Sequence, residues 1–244
     1  MAKSGQARVL TSAQIAQLFG VIQHHRHPEK NTAIMQISFK LGLRVQEIAL
    51  LQIKEVAKLN AMGTDFELLE IMALPAAYTK GANAAGRSKS RYNRKTISFS
   101  IEEFKRIVRQ VEQLGNNGVS VNYEDFLPPV KARTGKSRDL PMRNSELREA
   151  LEEYLRCRLD KAGSLKPTNP LFVTQKGGSY SANTLQEHMA LMLQGWAGVE
   201  KASSHSGRRS VITHIIHSQK KPLKVAQKIA GHVNPSTTLI YDEP

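Results

Sequence analysis

The chain has 244 residues, with 35 lysines and arginines against 21 acidic residues; the net charge of +14 points to a polyanionic partner, most simply nucleic acid. Cys157 is the sole cysteine, which excludes an internal disulfide and cysteine-rich zinc sites, and an aromatic content of 6% argues against base stacking on single strands as the main activity. No apolar run approaches the roughly 18 residues of a membrane span and the first ten residues lack a signal-peptide core, so a cytoplasmic location is the expectation.

In chain order, Thr11 or Ser12 caps an amphipathic helix over 11–25 with Ile15, Leu18, Phe19 and Ile22 on one face. His24, His25 and His27 follow, before Pro28. No acidic partner sits at ligand spacing, so they read as a solvated loop and no metal site is expected. A second helix is predicted over 29–41, with Ile34, Ile37 and Leu41 inward and Gly42 as its stop. A third is predicted from Arg44 to Leu59. Arg44 then stands in the first turn of a helix, where the macrodipole prefers acids.

Residues 66–74 are apolar and strand-compatible, and lead to Tyr78-Thr79-Lys80-Gly81. Residues 133–141 (Arg-Thr-Gly-Lys-Ser-Arg-Asp-Leu-Pro) read as a returning strand, followed by a helix over 145–161 with Leu147, Leu151, Tyr154 and Leu155 inward. Between these two pieces, Ile97 and Phe99 alternate as in a strand. Ser100 and Glu103 then form a capping box that opens a helix carrying Phe104, Ile107, Val108 and Val111 on one face. About fifty residues, 82–132, therefore read as an insertion. Arg87, Lys89, Arg91, Arg94 and Lys95, with Tyr92 among them, form a basic cluster in it suited to gripping a DNA backbone.

Leu171-Phe172-Val173 reads as an apolar anchor before a Gly-Gly turn. Ser181 or Asn183 starts a helix with Leu185, Met189, Met192, Leu193 and Trp196 on one side, Trp196 being a packing residue. The closing stretch carries His205-x-x-Arg208, then Gly231-His232, then Tyr241. Val211, Ile212, Ile215 and Ile216 form a core-facing stripe between them, Pro222 starts a helix, and Val225 and Ile229 face inward. His214 and His217 read as structural or solvent-facing.

Two arginines with two imidazoles and a phenol suit one kind of chemistry, in which a phosphodiester is held while tyrosine attacks it. Charge builds on the nonbridging oxygens as five-coordinate phosphorus forms, and planar guanidinium forks meet it without a metal. A phenol ordinarily ionises near pH 10, so the cationic surroundings have to favour phenolate.

The ordered set Gly-Leu-Arg-Val-Gln-Glu-Ile, His-x-x-Arg, Gly-His and Tyr resembles the tyrosine recombinase, or phage integrase, family. The likeness covers about residues 30–81 and 133–241. It implies that Arg44 and Arg208 grip the scissile phosphate, Glu47 buttresses the site, and His205 and His232 donate hydrogen bonds. Tyr241 would be the nucleophile, forming a 3′-phosphotyrosine that can be resealed without ATP. The family also places a catalytic lysine, the acid for the leaving 5′-oxygen, on a β-hairpin turn. Lys80 fits the upstream half of that hairpin and is the first choice, with Lys136, in the downstream half, second and Lys131 third. Simple alignment of that half demands lysine where Arg133 stands, and arginine is a poor general acid.

The expected fold class is α+β, mainly α: a single catalytic domain over 1–244 with a small antiparallel sheet and the inserted strand–helix unit. No cofactor is expected. Only 43 residues precede Arg44, so no separate N-terminal DNA-clamp domain is expected. Tyr241, near the chain end, reads as a mobile nucleophile placed by DNA or a neighbouring subunit. Double-stranded DNA is the expected partner, with self-association on it, as a tetramer by family implication. Type IB topoisomerase-like or telomere-resolvase cleavage, or a non-catalytic DNA-binding protein of the same fold, are the rival readings.

Overall fold

The computed structural model describes residues 7–78, 100–118, 120, 137–232 and 234–241. The chain divides into two compact units, Met1–Ala82 with Thr134–Pro244, and Asn83–Arg133.

In the larger unit, α1 (Ser12–Ile22) opens with Thr11, whose side chain accepts from the Gln14 backbone while the Gln14 side chain returns to the Thr11 N–H. This is the reciprocal arrangement that satisfies two orphan donors. Helix α2 (Pro28–Gln36) runs into a π-helical turn, Ile37–Leu41, and Gly42 ends it at φ 63°, a left-handed conformation that costs glycine little. The chain then turns through Leu43 into α3 (Val45–Leu50), with Arg44 as its N-cap residue.

The predicted third helix is shorter than expected. It stops at Leu50, and Ala57–Leu59 is instead strand β1, paired antiparallel with β2 (Phe66–Leu68). Two contacts draw the chain out of the helical path after Leu50: the Leu171 N–H donates to the Leu51 carbonyl, and Glu55 reaches back to the Gln52 N–H at 2.6 Å. The first is made across 120 positions of chain and the second opens a separate 3-10 turn, Ile53–Glu55, so apolar spacing alone continued the helix. The strand-compatible run 66–74 likewise splits in two. Its second half, β3 (Ile71–Leu74), pairs antiparallel with β4 (Arg138–Pro141), joining Leu74 to Arg138 across the ladder. Among the described residues the antiparallel strands form two separate two-stranded sheets.

Helix α5 (Ser145–Ala162) buries Leu147, Leu151, Tyr154 and Leu155 against α2. Helix α6 (Ala182–Ala190), capped by Ser181, continues through a π-helical turn to Trp196. Leu185, Met189, Met192 and Leu193 are buried, and Trp196 is half-buried against the core. The His25 ring stacks on that indole with centroids 3.8 Å apart, so His25 is a packing residue rather than part of a solvated loop. Among the described residues no group of three or more side chains could hold a metal ion. None of the described helices is long and apolar enough to cross a membrane.

The last segment contains α7 (Ser206–Thr213), a π-helical turn His214–Ser218, α8 (Leu223–Ala230) and α9 (Ser236–Leu239). Ile212, Ile215, Ala226 and Ala230 form a small second core. Val225 is 38% exposed, against expectation. The inward face of α8 is carried by Ala226 and Ala230, small residues that let α7 approach closely. In the smaller unit, α4 (Ile101–Asn116) starts at the predicted capping box, with Glu103 returning to the Ser100 N–H at 3.0 Å. Lys80, Lys131, Arg133, Lys136, the cluster Arg87, Lys89, Arg91, Arg94 and Lys95, and Tyr92, Ile97 and Phe99 lie outside the described residues.

Candidate active site

Arg44, His205, Arg208, His232 and Tyr241 come from three separate segments. Close helix packing joins the first two. Gly207 lies against Ser38 so tightly that an added Cβ would collide with the Ser38 side chain and come within 2.9 Å of its carbonyl carbon. That approach lets the next residue, Arg208, reach across and donate from Nη1 to the Gly42 carbonyl at 2.7 Å. The glycine corner before Arg44 and the His-x-x-Arg helix are thereby locked together. Arg209, its sequence neighbour, faces elsewhere and is half-buried.

Arg208 is 3% exposed. Its Nη2 donates to the Ala230 carbonyl and lies 3.0 Å from His232 Nε2. Arginine has no acceptor, so Nε2 must accept, and the proton of His232 sits on Nδ1, directed at Thr238 Oγ1 2.9 Å away. Sequence reasoning treated His232 as a donor to phosphate. Here its Nε2 is engaged by Arg208, and it donates only toward Thr238. Burial, reinforced by Arg208, Arg44 and Arg138, lowers the His232 pKa to about 4, so the ring is neutral at pH 7. Burial, then the nearby Arg44, brings Arg208 down to about 10, and it remains charged. Three of its five N–H groups are used, which leaves Nε–H and one Nη1–H for a substrate oxygen.

The Tyr241 ring stacks beside His232, with centroids 5.6 Å apart and planes 27° from parallel. Its backbone N–H is tied to Thr238, the residue that holds His232. The nucleophile candidate is therefore half-buried against the site. His205 is exposed at the start of α7, one turn before Arg208 and on the same face.

Arg44 retains 21% exposure of its side chain, and its Nη1 meets Glu47 Oε1 at 3.1 Å. Glu47 is fully buried and also accepts from the Arg44 N–H at 2.8 Å. The carboxylate has a second cation that sequence reasoning missed. Arg138 Nη2 lies 2.8 Å from Glu47 Oε1, a charge contact rather than an aligned hydrogen bond. Arg138 is buried, and burial lowers its pKa from the ordinary value. Its signal was weak, one basic residue among several in 133–141, although its placement on the inward side of a strand ending in Leu-Pro was readable. Three guanidiniums around one carboxylate leave the centre an excess of positive charge, matched to an anionic oxygen.

The histidines brought furthest down, His232 and His188, make acid stability a test of this geometry. His188 is also brought to about 4, by burial first. A histidine whose folded pKa lies below its unfolded value of 6.5 contributes full stability above 6.5 and loses it as pH falls toward 4. Each should add up to one proton of slope, about 1.4 kcal/mol per pH unit. Urea titrations across that range should show a shallower slope for His232→Gln. A slope equal to that of the wild type contradicts a buried neutral His232.

Solved structures carry the same fold. The crystal structure of XerA recombinase superposes with a TM-score of 0.60 at 18% identity, covering 99% of this chain and 62% of that one. The Tn1549 transposon integrase in complex with transposon right end DNA gives 0.59 at 17% identity, covering 99% and 63%. The fold is that of tyrosine recombinase catalytic domains. Residues 102–244 match the model of the phage integrase family, and the chain belongs to that family. Tyrosine recombinase XerC of Shewanella sp. (strain ANA-3) is 34% identical over 122 residues, 50% of this chain and 39% of the relative. XerC of Thermodesulfovibrio yellowstonii is 28% identical over 138 residues, 55% of this chain and 45% of the relative. The chain thus spans about two-fifths of the length of the curated relatives it matches.

Proposed function

We propose that this chain is a site-specific DNA recombinase or integrase that cuts and rejoins double-stranded DNA through a 3′-phosphotyrosine. The observation that carries this reading is the packing of Tyr241 beside His232 and Arg208 in the same cluster as Arg44. Family membership and the charge of +14 support it. In this scheme Arg44 and Arg208 neutralise the nonbridging oxygens, His205 donates from the exposed rim, and Tyr241 attacks phosphorus. The 5′-oxygen leaves with a proton from a lysine, with Lys80 the first candidate and Lys136 and Lys131 the others. His232, neutral and bound to Arg208, orients that guanidinium and would have to release it to serve the phosphate directly. Self-association on DNA belongs to the proposal, as does the basic cluster of 87–95 as a backbone grip.

A randomised pool of nicked duplexes tests the reading, because the nick lets the cleaved fragment escape and traps the protein–DNA adduct. Wild type should give an adduct on a denaturing gel, and Tyr241→Phe should give none. No wild-type adduct, or an adduct that persists in Tyr241→Phe, overturns the catalytic proposal in favour of a DNA-binding role. Relaxation of any supercoiled plasmid without recombinant product would favour the topoisomerase-like rival. Among the adduct-forming conditions, a 5′-thiol leaving group should rescue whichever lysine variant has lost the acid.

A further inference from the structure

We infer that Arg138 is the positioning residue of this site, one guanidinium that fixes Arg44 and His232 relative to each other. The inference rests on the proposed recombinase chemistry and adds a residue to it. One end of the Arg138 fork is paired with Glu47, the carboxylate that holds both the side chain and the backbone N–H of Arg44. The other, Nη1, donates to the Ile229 carbonyl at 2.6 Å. Ile229 is in the last turn of α8, whose end is set by Gly231 at φ 62°, and His232 follows directly. The side chain also lies flat against that glycine. A Cβ on Gly231 would stand 2.7 Å from Arg138 Cδ and 2.9 Å from Nε. The Gly-His pair thus takes its glycine partly because an arginine from β4 occupies the space.

Arg138 is buried and both terminal nitrogens of its fork are engaged, by the Glu47 carboxylate and the Ile229 carbonyl, so it acts through its neighbours. Its backbone is fixed as well, since it pairs with Leu74 at the end of the β3–β4 ladder. The chain toward Lys80 leaves from the Leu74 side and the chain from Lys136 arrives at the Arg138 side. The same residue therefore sits at the base of the segment carrying every lysine candidate. The planar fork is essential, because one ammonium cannot meet the Glu47 carboxylate and the Ile229 carbonyl in two fixed directions.

Arg138→Lys and Arg138→Met test this in the full chain, using duplexes captured from the randomised pool and resynthesised. Arg138→Lys keeps the charge and should remain folded by urea titration. It should bind the duplex within threefold of wild type and form adduct at least tenfold more slowly. A Lys variant that cleaves at the wild-type rate, or one whose loss is wholly explained by a fraction unfolded, overturns the inference. A second readout needs no DNA: the tautomer-sensitive imidazole 15N signals of His232 should shift in Arg138→Lys. Unchanged His232 signals likewise overturn it. Absence of any adduct with wild type would instead sink the recombinase reading, and the His232 signals would then decide the positioning role alone.

Discussion

Glu47→Gln should lower the unfolding free energy by about 3–5 kcal/mol, the usual cost of leaving a buried charge without its partner. Glu47 is wholly buried and is the carboxylate paired with both Arg44 and Arg138. Glutamine keeps the shape and can still accept from the Arg44 N–H, so the loss isolates charge from packing. The cost should fall mainly on Arg138, the more buried of the two cations, with 6% of its side chain exposed against 21% for Arg44. Adding Arg138→Met should therefore make the double variant less destabilised than the sum of the two single changes, because no uncompensated buried cation then remains there. Urea unfolding of the four proteins at pH 7 gives the coupling directly. Additive losses would mean that Glu47 and Arg138 do not share a charge interaction.

Arg208→Lys should reduce the rate of adduct formation by about 10²–10³, the range for removing one preorganised donor from developing oxyanion charge. The conservative change is informative here. Arg208 holds the Gly42 carbonyl, the Ala230 carbonyl and His232 Nε2 at once while keeping two N–H groups for substrate. A lysine offers one nitrogen at the end of a flexible stem and cannot keep those directions. It leaves buried acceptors unmatched, so stability should also fall, by about 1–3 kcal/mol. Single-turnover trapping on the captured duplex, at a temperature where the variant is folded by urea titration, separates the two effects. A folded variant that cleaves within threefold of wild type would remove Arg208 from the chemistry.

Much of the local structure was legible because it depends on residues close in sequence. Thr11 with Gln14 and Ser100 with Glu103 are caps written within four residues. Gly42 ends its helix in the left-handed conformation that glycine favours. The register of His-x-x-Arg put Arg208 rather than Arg209 on the face of His205, and the structure packs Arg208 inward. The failures share a different cause. The helix expected to reach Leu59 was cut short by the Leu171–Leu51 backbone bond, made across 120 positions of chain. Val225 was assigned inward by spacing, yet the inward face of α8 is carried by Ala226 and Ala230 with Ile229 packed beside them.

Residue type and order, read by their resemblance to the tyrosine recombinase family, were enough to nominate the ordered set of Arg44, His205, Arg208, Gly231, His232 and Tyr241, while spacing along α7 put His205 and Arg208 on one face. They also set the strongly basic balance that calls for a polyanion. How those groups are wired was settled only by folding. Arg208 reaches Gly42 across 166 positions and Arg138 reaches Ile229 across 91. No periodicity encodes such distances. They are set when α7 closes on the turn before Gly42, and when β4 brings its opening residue, Arg138, against the end of α8. The direction of the His232 proton and the sharing of Glu47 follow from those two contacts, since burial obliges each polar group to find the partner that packing has placed within reach.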